Sequence, residues 1–255
     1  MYSSMIDYHV HSHFSIDSST PSHKFCAGAV DLQLQEIGFS EHVDLDPQLS
    51  GYDALDFPAY HCSLTALQNQ YPLPIRCGVE FSYQSSLEDG IRDYITSKPV
   101  DYAIGSVHEV EGRTMGSDFF EISSPGEYFK EVKKMVCSGL CDIVGHLEYF
   151  KQWGAYDWTC YEKEIREILE LIIEYECALE INTAGFRHGC GRPYPSYEIQ
   201  QVYRDMGGKR ISLGSDAHHA AHLAFHFPQV IDELKTIGFK EVVHIKKRKI
   251  SLKGL

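Results

Sequence analysis

No stretch of this chain approaches the roughly 18 consecutive apolar residues of a membrane-crossing helix. Its start, Met1-Tyr2-Ser3-Ser4-Met5-Ile6-Asp7, has no charged segment leading into an apolar one. The expectation is a soluble, unprocessed, cytoplasmic protein without a membrane partner. Its eight cysteines include no Cys-x-x-Cys pair, which argues against a thiolate zinc site or a disulfide framework and leaves free thiols. Cys137 and Cys141, four apart, read as a helix leading into a strand. Basic charge is scarce: 23 Lys and Arg stand against 36 Asp and Glu, a net charge of −13. That balance argues against sequence-independent nucleic-acid binding, which needs cations to neutralise phosphates. The one basic run, Lys246-Lys247-Arg248-Lys249, reads as a solvated tail. Linkers, low-complexity segments and composition breaks are missing too. With 43 % hydrophobic residues in 255, one domain spanning 1–255 follows.

Short apolar runs alternate with amphipathic segments throughout. Candidate strands cover 5–10, 37–42, 75–81, 102–108, 142–146, 178–182 and 210–214, and 241–245 is a possible extra strand. Runs such as Ile143-Val144-Gly145 suit parallel strands buried on both faces. Ser124-Pro125-Gly126-Glu127 carries an N-cap serine, a proline at the first helical position and a glutamate three residues after the cap. Thr159-Cys160-Tyr161-Glu162 repeats the capping spacing, ahead of a stripe formed by Ile165, Ile168, Leu169, Ile172 and Ile173. The βα alternation predicts an α/β, TIM-barrel-like fold: a distorted seven-stranded (β/α)7 barrel.

What the chain does have is a series of imidazoles and carboxylates where those strands run out. They are His9, His11, Asp17, His42, Glu80, His108, His146, Asp216 and His218. Parallel barrel strands aim their C-terminal ends at one mouth, so such residues converge. Nitrogen and oxygen donors without thiolates make a site for Zn, Mn or Fe. In His9-Val10-His11 the two rings share a face, because alternate strand residues point the same way. Taken singly, His42, His108 or His146 reads as a hydrogen-bonded core histidine. Glu80 and Asp216 resist that bland reading, since a carboxylate at a buried strand end needs a compensating charge. The whole series, in order, points to metal-dependent hydrolysis.

His9-x-His11, Glu41-His42, Gly78-x-Glu80, Ser106-x-His108, Gly145-His146 and Ser215-Asp216-Ala217-His218 resemble the successive motifs of the polymerase-and-histidinol-phosphatase (PHP) family. The segments 101–108 and Glu180-Ile181-Asn182-Thr183 are most similar to monofunctional histidinol-phosphatases. The resemblance implies a seven-stranded barrel with two or three divalent ions. His9, His11, Glu80 and Asp216 would hold one; Glu80, His108 and His146 a second, with Glu80 bridging; Asp17, His42 and His218 the third. At Asp17 some family members carry histidine, and a carboxylate is an adequate hard ligand there. Three divalent ions against the three carboxylates and a hydroxide would leave about +2, matched to a phosphate dianion.

The implied reaction is hydrolysis of L-histidinol phosphate to L-histidinol and phosphate in histidine biosynthesis, by a metal-bridging hydroxide attacking phosphorus. Glu80, Asp216 and His218 are the candidate catalytic residues, with Asp216 or a neighbouring histidine protonating the leaving alkoxide. Arg187, after the sixth strand, offers a planar fork for phosphate, and Arg192 is a second candidate contact. His218, His222 and His226 are spaced as on one helical face, with only His218 in a motif. The loop 109–120 is expected to shape the substrate pocket. The expected partner is a small-molecule phosphate monoester; nothing in the sequence addresses the oligomeric state. Alternatives are another phosphate ester, such as phosphotyrosine or a nucleotide, and a metal-binding module without catalysis.

Overall fold

The computed structural model describes residues 5–255. Its strands, in chain order, are β1 (Ile6–Asp7), β2 (Glu36–Val43), β3 (Ile75–Ser82) and β4 (Tyr102–Ser106). A small hairpin of β5 (Glu109–Val110) and β6 (Arg113–Thr114) follows. Then come β7 (Ile143–Val144), β8 (Ala178–Asn182) and β9 (Ile211–Gly214), and a second hairpin of β10 (Glu241–Lys246) and β11 (Lys249–Gly254). The seven-stranded sheet runs β1-β2-β3-β4-β7-β8-β9 with every pair parallel. Across the remaining seam, β1 and β9 meet through Tyr8 N–H on Leu213 O and a bridge between Val10 and Ala217. The predicted distorted seven-stranded barrel is therefore observed.

Strand character follows the apolar runs, and β3 is buried along its full length. Two apolar layers result. One lies between sheet and helices; the helix Glu162–Glu174 contributes Ile165, Ile168, Leu169 and Ile172 to it. The other joins Ile6, Tyr8, Tyr102, Ile104, Ile143 and Ala178 to Val243 and Ile245 of β10. The Tyr102 hydroxyl reaches across that layer to lie 2.6 Å from Tyr8 O and 3.0 Å from Phe39 O, with its one proton to share between them. It fits because residue 78 is glycine: a Cβ there would overlap the tyrosine ring.

Four expectations need correction. The first and fifth strands are two residues long, so His9 and His146, expected within them, lie beyond the ladders. The basic run is no free tail. It makes the tight turn between β10 and β11, with Lys247 and Arg248 at positive φ, the twist that two-residue hairpins favour. Lys247 N–H and Arg248 N–H bond Asp101, and the Arg248 side chain pairs with Asp142 at 2.5 Å. Thr159 does not cap its helix; its hydroxyl bonds Asp157, which caps the short turn Trp158–Tyr161. Nor do His218, His222 and His226 share a helix. Ala220–His222 is a single 3-10 turn, and His226 has φ +58°. The Ser124 cap, by contrast, is as expected, accepting from Glu127 N–H.

Candidate metal centre

Parallel register sets the first donors side by side. His42 on β2 is the Cα partner of Glu80 on β3, and such partners point to the same face. At the seam, Ala217 N–H donates to His9 O at 3.2 Å and His11 N–H to Ala217 O at 2.9 Å. Asp216 and His218 therefore flank the bridge from one side as His9 and His11 flank it from the other.

Glu80 stands at the centre. Its Oε2 lies 3.3 Å from His9 Nε2, 3.4 Å from His11 Nε2 and 3.2 Å from His42 Nδ1. Its Oε1 faces His146 Nε2 at 3.0 Å and His108 Nε2 at 3.7 Å. Asp216 Oδ1 is 3.7 Å from His9 Nε2 and 3.6 Å from His11 Nε2. Asp17 Oδ2 lies 3.2 Å from His42 Nε2 and 2.9 Å from His218 Nε2. The structure thus brings all nine candidates into one cluster. It is fully buried at His9 and His11 and opens to solvent at Asp17, which is 47 % exposed.

Does this cluster suit a divalent cation? His9 Nε2 and His11 Nε2 are buried without a hydrogen-bond partner, an arrangement that is costly unless something electrophilic faces them. Four groups bring donor atoms within 4.8 Å of one another: His9, His11 and Glu80; Glu80, His108 and His146; His9, His146 and Asp216; His11, His42 and His218. Burial, with nearby histidine charge, pushes His11 well below the ordinary imidazole range, and burial pushes His108 down to about 4. Those rings keep bare nitrogens. Burial alone would raise the Glu80 carboxyl, but the positive charge of His9 and a hydrogen bond from His146 hold it well below the usual range. His9, His42 and His218 go the other way. Burial opposes it, but the neighbouring carboxylates hold His9 and His218 above the ordinary imidazole range and bring His42 up to about 9. A metal entering here would displace their protons. The residues fit.

Seven of the nine, all but the fully buried His9 and His11, line a cavity of about 830 Å³. Arg187 ends the short helix Ala184–Arg187 and lines that cavity. Its Nη2 donates to Asp216 O at 2.8 Å, its guanidinium lies 5.7 Å from the Phe225 ring, and its Nη1 is buried without a partner. Arg192 is elsewhere. Its guanidinium donates twice to Glu198, at 2.8 and 2.9 Å, and it lines a neighbouring cavity. The structure does not bring Arg192, the second candidate phosphate contact, to the cavity that Arg187 lines; its Nη1 is taken by a carboxylate six residues on. Glu109, Thr114 and Met115 of the segment after His108 do line the main cavity.

Several supporting residues were not singled out in the sequence. Glu180 Oε1 is 2.6 Å from His9 Nδ1, and its Oε2 accepts from His146 N–H at 2.6 Å and from Asn182 at 3.1 Å. Asp7 accepts from the backbone N–H groups of Ser215 and Ala224, pinning the segment that carries Asp216 and His218. A signal for Glu180 was present: Glu180 and Asn182 sit two apart near the end of a buried strand, so both face inward.

Seven parallel strands presenting this donor set at one mouth define a barrel protein with a divalent-metal centre. The PHP-domain model matches residues 7–184, and the chain belongs to the PHP family. The histidinol-phosphatase of Lactococcus lactis is 31 % identical over 96 % of each chain. A probable histidinol-phosphatase of Thermotoga maritima is 27 % identical, covering 98 % of this chain and 99 % of that one. The crystal structure of the Lactococcus histidinol phosphate phosphatase, complexed with zinc, L-histidinol and phosphate, superposes with a TM-score of 0.86 at 28 % identity. It covers 97 % of this chain and 98 % of that one.

Proposed function

We propose that this chain is a divalent-metal-dependent histidinol-phosphatase, releasing L-histidinol and phosphate in cytoplasmic histidine biosynthesis. The observation that carries this reading is full-length likeness to an enzyme solved with zinc, L-histidinol and phosphate, joined to a cluster of convergent histidine and carboxylate donors. Completeness at every position also disfavours a module without catalysis. Among the described residues no helix is long and apolar enough to cross a membrane.

His9, His11, Glu80 and Asp216 would hold one ion. Glu80, His108 and His146 would hold a second, and Asp17, His42 and His218 a third. When bound, such ions (zinc, manganese or iron) supply a nucleophile near neutral pH and neutralise phosphoryl charge. The chain's own residues do the rest. Glu80 presents one oxygen to each of two histidine groups, so its carboxylate fixes their separation. Arg187 is anchored by Nη2 and has Nη1 left to donate to a phosphoryl oxygen. Asp216 and His218 both line the cavity, and we assign protonation of the departing alkoxide to this pair.

The test is a comparison of kcat/KM over phosphomonoesters, with L-histidinol phosphate, phosphotyrosine and a nucleotide each assayed with Zn, Mn and Fe. L-histidinol phosphate should lead. Equal or faster turnover of either other ester would overturn the substrate assignment.

A further inference from the structure

Two histidines on either side of Val10 face the same carboxylate with Nε2, yet their Nδ1 atoms are held differently. His9 Nδ1 meets Glu180 directly. His11 Nδ1 meets a hydroxyl, Ser15 Oγ, at 3.2 Å. That hydroxyl lies 2.6 Å from Glu41 Oε2 and also accepts from His42 N–H at 3.1 Å. Glu41 is fully buried and takes further hydrogen bonds from Ser12 N–H and, at 2.6 Å, from Ser12 Oγ.

We propose that Ser15, anchored by the buried Glu41 carboxylate, is a positioning residue that fixes the tautomer of His11 and ties it to His42. A hydroxyl has one proton to give. The carboxylate at 2.6 Å takes it in preference to an imidazole nitrogen at 3.2 Å, because a charged acceptor makes the stronger bond. Ser15 Oγ is then left with lone pairs only, one toward His42 N–H and one toward His11. His11 must therefore carry its proton on Nδ1, which bares Nε2 toward Glu80 and Asp216. Since the same oxygen also holds the backbone of His42, ligands assigned to two different ions share one support. This inference rests on His11 serving as a metal ligand.

Nitrogen-15 NMR of the histidine rings in metal-free full-length protein reads the tautomer, and competition titration reads zinc affinity. Wild type should show His11 protonated on Nδ1; finding it protonated on Nε2 overturns the proposal without any variant. Ser15→Ala should give mixed His11 tautomers and zinc affinity weaker by about ten- to a hundredfold. In that variant His9 should stay unchanged, because Glu180 holds it. Ser15→Thr keeps a hydroxyl and should restore both readouts. Glu41→Gln, which preserves volume, should move His11 in the same direction as Ser15→Ala. If His9 and His11 respond equally, or if Ser15→Ala keeps wild-type tautomer and affinity, Ser15 supports only the local fold and the proposal fails. A wild-type chain that binds no zinc would refute the metal reading, while the ring spectrum would still decide the tautomer.

Discussion

His9 Nδ1 lies 2.6 Å from Glu180 Oε1, with both side chains buried. The same carboxylate accepts from the backbone of His146, so one residue orients donors on both sides of Glu80. Glu180→Gln weakens that hold and should lower zinc affinity or kcat about ten- to a hundredfold. Zinc competition titration checks it. Gly214→Ala should act similarly, because a Cβ there would overlap the Glu180 carboxylate. Unchanged affinity in both variants would remove Glu180 from the centre's support.

Glu80→Ala removes the carboxylate shared by two donor groups. It should cost at least two ions' worth of occupancy and lower kcat by orders of magnitude, while the apolar layers keep the chain folded. Elemental analysis beside circular dichroism separates these outcomes. Near-normal turnover with full metal content would show Glu80 to be structural.

Arg187→Ala should leave metal content alone and reduce kcat/KM for a phosphomonoester by about one to two decades, the loss of a charge-assisted pair costing roughly 1.5–3 kcal/mol. Arg187→Lys keeps charge but loses the fork, so it should recover only part. The measurement is kcat/KM at equal metal loading. Agreement of all three proteins within twofold would rule out a phosphate contact.

Burial pushes the Glu109 carboxyl up to about 7, with Asp44 and Asp46 adding to it and a hydrogen bond from Ser82 opposing it. Unfolded, the group ionises near 4.5. Between those values the folded chain keeps a proton that the unfolded chain releases, so stability falls as pH rises through the window and levels off above it. Glu109→Gln carries no such proton. Its stability relative to wild type should therefore climb from pH about 4.5 to about 7, by up to about 3 kcal/mol. Denaturant unfolding of both metal-free proteins across that range gives the difference; a flat difference contradicts the burial argument.

At the other end of the barrel, Arg248→Ala strips Asp142 of its cationic partner, leaving it the Ala103 N–H, and Leu140 O of a donor. Stability should drop by roughly 1.5–3 kcal/mol, with kcat/KM per folded molecule unchanged. Thermal melts and kinetics on the same sample check both halves.

The barrel and its donor residues were legible because both leave periodic marks. Buried strands are apolar runs, and a donor at each strand's end recurs with the βα repeat. What stayed hidden depends on contacts far apart in sequence. Nothing local marks 246–249 as a turn held by Asp101 and Asp142. Arg187 and Arg192 look alike in sequence, and only folding shows that Glu198 occupies one of them. Glu41 sat inside a recognised motif, but its role needed Ser15, 26 residues away, to be placed beside it.

The seam between β1 and β9 has a consequence for assembly. Elsewhere neighbouring barrel strands share a ladder, but here the first and last strands of the sheet meet at a bridge between Val10 and Ala217. His9 and His11 stand on one side of that junction, Asp216 and His218 on the other. An ion held among them would act as a clasp across the joint that closes the barrel. Because a ligand that binds only the closed form stabilises it by mass action, metal supply would govern how long the barrel stays shut as well as whether it can react.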